Sequence, residues 1–345
     1  MTGSESSPPL PPSGAFFVPT PQAIRRIAAH LRDGGLAALP TETVYGLAAV
    51  ATNEPAVASV FAIKGRPRSD PLIVHIAEPQ QLHMFADAPP EAFTLAAHFW
   101  PGPLTLVLPK KPLIPDLVTA GLKTVAVRMP AHREFLAVLR EANAPLAAPS
   151  ANPFGLLSPT RASHVAAAFP HAEFPILDGG PCAIGIESTV IDLTRVHAPT
   201  ILRPGAISIE AISQCLQRNV SAPSNNATAS PISSAQRSPG LLAQHYQPRT
   251  PLYLHRQIPV NLSVNSARLF LRKVDAVTSN YATENTFYWT ANGESRELAQ
   301  QLYAILHQID SSSFQSIHAE WPTGIHPLIQ ASQNRLLRAG TLIKD

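Results

Sequence analysis

Along residues 20–206 two spacings of apolar side chains alternate: stretches of helical period and short unbroken runs. Ile24, Ile27, Ala28 and Leu31 fall at i, i+3, i+4 and i+7. Thr20 stands at the N-cap, Pro21 at the first helical position and Gly34-Gly35 past the end, which together predict a helix. The run at 36–39 predicts a buried strand that stops at Pro40, a residue unable to donate to a ladder. The same reading predicts helices over 53–64, 89–99 and 133–141 and one capped by Thr160. It predicts strands over 72–76, 104–108, 124–128, 146–148, 176–177 and 189–193. Some neighbouring strands have no helix between them, so the expected fold is α/β with an open, twisted, mixed sheet and flanking helices.

This pattern ends near Gly205. Residues 207–250 read as a helix and a long linker, with a Ser/Ala/Asn/Pro-rich stretch over 219–236 that has no apolar period. From 251 to 345 a smaller α/β domain is expected, with strands at PLYLH and ARLFLR. A helix over 295–309 would turn Leu298, Leu302, Ile305 and Ile309 inward, and a last helix would run through Asn334 and Leu337. Residues 1–19 are Ser/Pro-rich and are expected to form a disordered tail, with order beginning at Thr20.

Composition narrows the class. A chain of 345 residues with 45% apolar and 14% charged residues suits about two globular domains. Its 36 prolines against 17 glycines exclude collagen and coiled coil and call for many fixed turns. The 26 basic and 23 acidic residues leave +3, a weak footprint for nucleic acid as main partner. Cys182 and Cys215 form no C-x-x-C, so neither a disulfide framework nor a zinc ribbon is indicated. With no signal-peptide pattern and no long apolar run, a cytoplasmic protein without a membrane partner is expected.

The chain has no G-x-x-x-x-G-K-[ST], no G-x-G-x-x-G after a strand, no H-E-x-x-H, no G-x-S-x-G and no kinase signature. It has instead polar turns where strands end: LPTETVYGL (39–47), KGRPRSDPLIVHI (64–76), VRMP (127–130), APSANPFGLLSPT (148–160), GIESTVIDL (185–193) and LRPG (202–205). In open α/β sheets ligands bind at the carboxyl ends of strands, so these turns are expected to line one cleft. Lys64, Arg66 and Arg68 suit phosphate oxygens, although a solvated basic helix end accounts for them equally well. Arg128 at a strand rim suits a carboxylate or a phosphate. Ser150, Asn152, Ser158, Ser188 and Thr189 suit phosphate or an amino-acid head group alike. His75 is a base, a ligand contact or a structural histidine. Glu42 orients a ligand or metal, or simply holds backbone amides. No serine has an evident His and Asp partner, which speaks against a triad.

In their order, PTETVYGL, K-x-R-P…PL-x-V-H, WPGPLT, VR-x-P, PSAN and ESTV resemble the Sua5/YciO/YrdC family of L-threonylcarbamoyladenylate synthases. SPGLLAQHYQP (238–248) resembles the linker of that family's long Sua5 form, and NRLLRAG resembles its C-terminal domain. The resemblance implies a YrdC-like domain and a Sua5 domain. The implied reaction is a nucleotidyl transfer that joins L-threonine, bicarbonate or CO2, and ATP into threonylcarbamoyl-AMP and pyrophosphate, with Mg2+ and with no protein metal ligands assigned. This is the first step towards N6-threonylcarbamoyladenosine at position 37 of tRNAs reading ANN codons, and it implies a downstream tRNA threonylcarbamoyl-transferase machinery and weak RNA contact.

Carried over by motif, Thr43, His75, Arg128 and Ser188 hold threonine beside the backbone of Ala148. Arg66, Asp70, Thr124, Ser150, Ser158 and Arg203 hold ATP, Lys64 and Arg66 are the catalytic candidates at the phosphates, and His245 and Tyr246 fold over the nucleotide. Asp70 stands where many relatives carry asparagine, and its charge would repel triphosphate unless Mg2+ or Arg68 intervenes. The competing readings are an RNA-binding module of the same fold and a carbamoyl-adenylate-forming paralogue. The second should carry C-x-x-C pairs that this chain lacks.

Overall fold

The computed structural model describes residues 15–222, 245–273 and 285–343. The first domain runs β1 (Phe16–Phe17), α1 (Pro21–Arg32), β2 (Ala37–Leu39), β3 (Gly46–Val50), α2 (Glu54–Lys64) and β4 (Ile73–His75). It continues with α3 (Leu82–Phe85), α4 (Pro90–Phe99), β5 (Leu104–Pro109), β6 (Thr124–Arg128), α5 (Arg133–Ala142) and β7 (Leu146–Ala147). It closes with α6 (Ala162–Ala168), β8 (Ile176–Leu177), β9 (Thr189–Asp192), β10 (Thr200–Arg203) and α7 (Ile209–Leu216). Its ten strands form one mixed sheet in the order β1-β8-β2-β3-β7-β4-β6-β5-β9-β10.

The second domain contains β11 (Leu252–His255), β12 (Ser266–Arg272), β13 (Thr286–Thr290), α8 (Ser295–Asp310), β14 (Ser316–Glu320), α9 (Pro327–Ala339) and β15 (Thr341–Leu342). Its sheet, β13-β12-β14-β11-β15, is wholly parallel.

Local chemistry sets these elements. The Thr20 hydroxyl accepts from the Ala23 amide and starts α1, as its sequence predicts. Asn53 caps α2 in the same way, and Gly65 at φ +61° ends it: the Gly65 and Arg66 amides donate back to the carbonyls of Ala62 and Phe61. That turn aims residues 66–72 across the sheet towards β4.

Three expectations need correction. The tail is ordered before Thr20, because Phe16 and Phe17 pair in parallel with Ile176 and Leu177, and Phe17 is buried under the Arg26 guanidinium. Residues 1–14 and most of the expected linker, 223–244, lie outside the described residues. The helix after Thr160 starts at Ala162 with Arg161, not Thr160, at its N-cap, and the Thr160 amide donates to His164 Nδ1 at 3.2 Å. β3 was hidden in what reads as a turn: its Gly-Leu-Ala-Ala-Val sequence is poor in β-branched residues, yet all five positions are buried between β2 and β7.

The two domains share apolar packing. Val44, Leu157 and Ile186 of the first domain, with Tyr246, belong to the same buried cluster as Leu298, Leu302 and Leu336 of the second. Among the described residues no helix is long and apolar enough to cross a membrane.

Candidate active site

The mixed sheet brings together turns that are distant in sequence. β6 is parallel to β4, so Arg128 pairs with His75, and it is antiparallel to β5, whose partner β9 starts immediately after Ser188. Strand alternation puts Ile73 and His75 on the face that also carries Arg128. The cavity therefore lies over a face of the sheet, not outside the carboxyl ends of its strands as first expected. Thr43, Gly46, Arg66, Ile73, His75, Arg128, Ala148, Ser150, Glu187, Arg203, His245 and Tyr246 are among the residues that line it.

On one side stands Arg128, 3% exposed. Its guanidinium pairs with Glu42 at 2.7 Å and donates to Thr43 Oγ1 at 3.0 Å and to the Gly102 carbonyl at 3.2 Å. The Thr41 hydroxyl ties this turn by accepting from the amides of Thr43 and Val44. Burial first, and then the charge of Arg128, push the His75 imidazole down to about 3, so it stays neutral near pH 7. That excludes an imidazolium there and leaves a neutral hydrogen-bonding ring.

On the other side, Arg66 pairs with Asp70 at 2.9 Å and donates to the carbonyls of Asp70 and Pro71. Asp70 is fully buried and does not line the cavity. Burial pushes its carboxyl up and Arg66 pulls it back. Asp70, expected to hold ATP directly or through Mg2+, stands here as the counter-ion that orients Arg66. Lys64 also stays out of the cavity: its ammonium donates to the Ser150 carbonyl at 2.6 Å and to that of Asn152, bracing the loop beneath the site.

Arg203 donates to the Ser188 carbonyl and hydroxyl, both at 3.1 Å, and hydrogen-bonds Tyr246. Ser188 also shares a 2.7 Å bond with Thr105, and Ser158 donates to Glu187 at 2.7 Å, so both hydroxyls stand one layer behind the cavity wall. Thr124 is also placed away from the site. It shares the face of Arg128 but opens β6, about 13 Å off at the usual strand rise, and does not line the cavity.

His245 and Tyr246 close the site. Tyr246 is 1% exposed and adopts φ +65°, a left-handed backbone unusual for a bulky residue. Only about 50 Å3 remains open beneath the pair. Burial, with Arg66 next, pushes His245 down to about 3. Sequence reasoning left Glu42 and Glu187 without firm roles and missed Tyr303 and Arg335 altogether. The two glutamates sit inside the PTET and ESTV motifs. The other two come from the second domain: Arg335 sits inside the NRLLRAG segment with nothing there to point to Glu187, and no local pattern marks Tyr303.

A larger cavity of about 430 Å3 lies between α6 and α8, where the rings of His164 and His307 stack at 4.1 Å. Burial, helped by the charge of His307, holds His164 at about 3. With His75 and His245 this gives three histidines that refuse a proton in the folded protein. The unfolded chain takes those protons below about pH 6.5, so stability is full above that pH and falls as pH drops towards 3. At pH 5, His75 and His245 should each cost about 2 kcal/mol. Urea unfolding at pH 7.5 and 5.0 checks this: the midpoint should be clearly lower at pH 5.0, and an equal or higher one would refute it.

Comparison with known proteins agrees with this geometry. The Sua5/YciO/YrdC family described as "Telomere recombination" matches residues 29–205, and "Threonylcarbamoyl-AMP synthase, C-terminal domain" matches 207–341. A threonylcarbamoyl-AMP synthase of Pyrococcus abyssi (strain GE5 / Orsay) is 41% identical over 305 residues, 86% of this chain and 88% of the relative. One of Bacillus subtilis (strain 168) is 40% identical over 328 residues, 92% of each. The crystal structure of P. abyssi Sua5 complexed with L-threonine superposes with a TM-score of 0.82 at 35% identity, covering 96% of this chain and 100% of that one. The chain belongs to the Sua5/YciO/YrdC family, in the Sua5-type form of threonylcarbamoyl-AMP synthase that joins a YrdC domain to a Sua5 C-terminal domain.

Proposed function

We propose that this protein makes L-threonylcarbamoyl-AMP and pyrophosphate from L-threonine, bicarbonate or CO2, and ATP, as the precursor of N6-threonylcarbamoyladenosine at position 37 of tRNAs reading ANN codons. One observation carries the reading. A single cavity sets Arg128 with Thr43 and His75 against Arg66 and Arg203, one guanidinium for a carboxylate and two for phosphates.

In this reading the threonine carboxylate takes the Arg128 fork and the Thr43 hydroxyl turns to it. Ala148 walls the pocket, and neutral His75 accepts a hydrogen bond from the amine. The unprotonated amine nitrogen attacks the carbon of CO2 and loses one proton to water. The resulting carbamate oxygen attacks the α-phosphorus in line, and the bond to pyrophosphate breaks. Arg66 and Arg203 balance the phosphate charge, Ser150 offers a hydroxyl at the cavity wall, and Ser158 and Ser188 hold Glu187 and Arg203 in place. Positioning and charge supply the catalysis.

Mg2+ usually binds one or two carboxylates together with substrate phosphates. Asp70, the carboxylate beside the proposed phosphate site, is already committed to Arg66. The residues present therefore fit an ion that arrives with ATP better than one held by the protein. The product would pass to the tRNA threonylcarbamoyl-transferase machinery.

The test is pyrophosphate release from ATP and bicarbonate with and without L-threonine. Threonine-dependent release is expected. Equal release in both mixtures, or an RNA mobility shift with no release, would overturn the proposal.

A further inference from the structure

The NRLLRAG segment carries a residue that the reaction above does not use. Arg335 on α9 is fully buried, although it belongs to the second domain. Its Nε pairs with Glu187 Oε2 at 2.9 Å, one terminal nitrogen donates to the Glu187 carbonyl at 3.2 Å, and the other donates to the Pro204 carbonyl at 2.6 Å. Glu187 is followed by Ser188 and Pro204 is preceded by Arg203, and Arg203 itself donates to Ser188 at 3.1 Å. Arg335, Glu187, Ser188, Arg203 and Pro204 thus close a ring of charge-assisted bonds across two turns of the first domain.

We propose that Arg335 is a positioning residue for the synthase reaction: it fixes the 187–188 and 203–204 turns so that Ser188 holds Arg203 against the substrates, and the second domain thereby completes the active site. The inference rests on the function proposed above.

Three features favour positioning over a plain tie between domains. First, the planar fork reaches acceptors on both turns, which a point charge does not reproduce. Second, the remaining capacity of Glu187 is taken by Ser158 at 2.7 Å and by the hydroxyl of Tyr303, another second-domain residue, at 3.2 Å. The carboxylate is therefore held from both sides. Third, the segment leading into this turn is pressed directly against α8. A Cβ on Gly185, itself at φ +83°, would lie 2.5 Å from Gln300 Cα and 2.6 Å from the Ala299 carbonyl oxygen. The turn is moulded by the backbone of the second domain as well as by its arginine.

The experiment compares the full chain with Arg335→Lys, Arg335→Met, Glu187→Gln and the Glu187→Gln/Arg335→Met double variant, by steady-state pyrophosphate release and threonine titration. Arg335→Lys keeps the charge and should lower kcat/KM for threonine about 10-fold, mainly through KM for threonine and ATP, with Arg335→Met lower still. The double variant should lose no more than Glu187→Gln alone, because the arginine acts through that carboxylate.

Asp310→Ala serves as the stability control. It removes the carboxylate that accepts from the amides of Arg249 and Thr250, and should lower the unfolding midpoint without changing either KM. Wild-type KM values in Arg335→Lys overturn the proposal, even if its unfolding midpoint falls. Losses that multiply in the double variant overturn the route through Glu187. Absence of threonine-dependent release in the unaltered chain is a different failure, that of the underlying function, and the inference falls with it.

Discussion

Arg128→Ala should reduce kcat/KM for L-threonine by about 10² to 10³-fold. The side chain is 3% exposed and three of its five N–H groups already meet Glu42, Thr43 and Gly102, so it is held in place before any substrate arrives and, among the described residues, keeps two donors free for a carboxylate. Truncation removes the proposed partner of the threonine carboxylate and leaves Glu42, 7% exposed, as a buried charge without its cation. Losing one member of a buried charge pair costs about 2–5 kcal/mol, and each 1.4 kcal/mol is a factor of about ten. Arg128→Lys should recover little, because a point charge cannot face Glu42 and a bound carboxylate together. Initial rates of pyrophosphate release across a threonine titration measure the loss. A change under about threefold would remove Arg128 from the threonine site.

The His245→Ala/Tyr246→Ala variant should lose about 10²-fold in threonine-dependent turnover for a different reason. Ligand cavities usually hold about 300–1,000 Å3, whereas about 50 Å3 is open here. On the proposed reading, the two rings fill the space that ATP needs, and turnover requires them to swing out and pack again around the nucleotide. Tyr246 reaches its place through a left-handed backbone and a hydrogen bond with Arg203, and its ring lies 5.9 Å from that of Tyr303. Without the rings ATP enters more freely, but water is no longer kept from the carbamate or the α-phosphorus. The useful readout is therefore the ratio of pyrophosphate released with threonine to that released without it. It should collapse towards one. A ratio and turnover both equal to those of the unaltered chain would show that the pair is not a cover.

Much of this was legible because local chemistry and global fold agree. The Thr20 cap, the Asn53 cap and the apolar stripe of α1 define their helices unaided, and the ordered motifs place Thr43, His75 and Arg128 in one site. What failed was long-range or compositional. β3 is built of small residues whose β character comes from burial between neighbours, and β1 is a pair of phenylalanines in a Ser/Pro-rich stretch. Asp70 looked like a charge facing phosphate, yet it lies four residues beyond Arg66, close enough to become its counter-ion. Arg335 meets Glu187 across 148 positions, a contact that no periodicity announces.

The cluster shared by Val44, Leu157, Ile186 and Tyr246 with the second domain has a genetic consequence. A chain that stopped at residue 222 would turn three of those side chains out to water beside a Glu187 that has lost Arg335 and Tyr303, so a late stop codon should abolish the activity rather than trim an accessory. Loss-of-function substitutions should accordingly scatter through α8 and α9 as densely as through the turns that touch substrate, and a mutational map of this protein should show no quiet half.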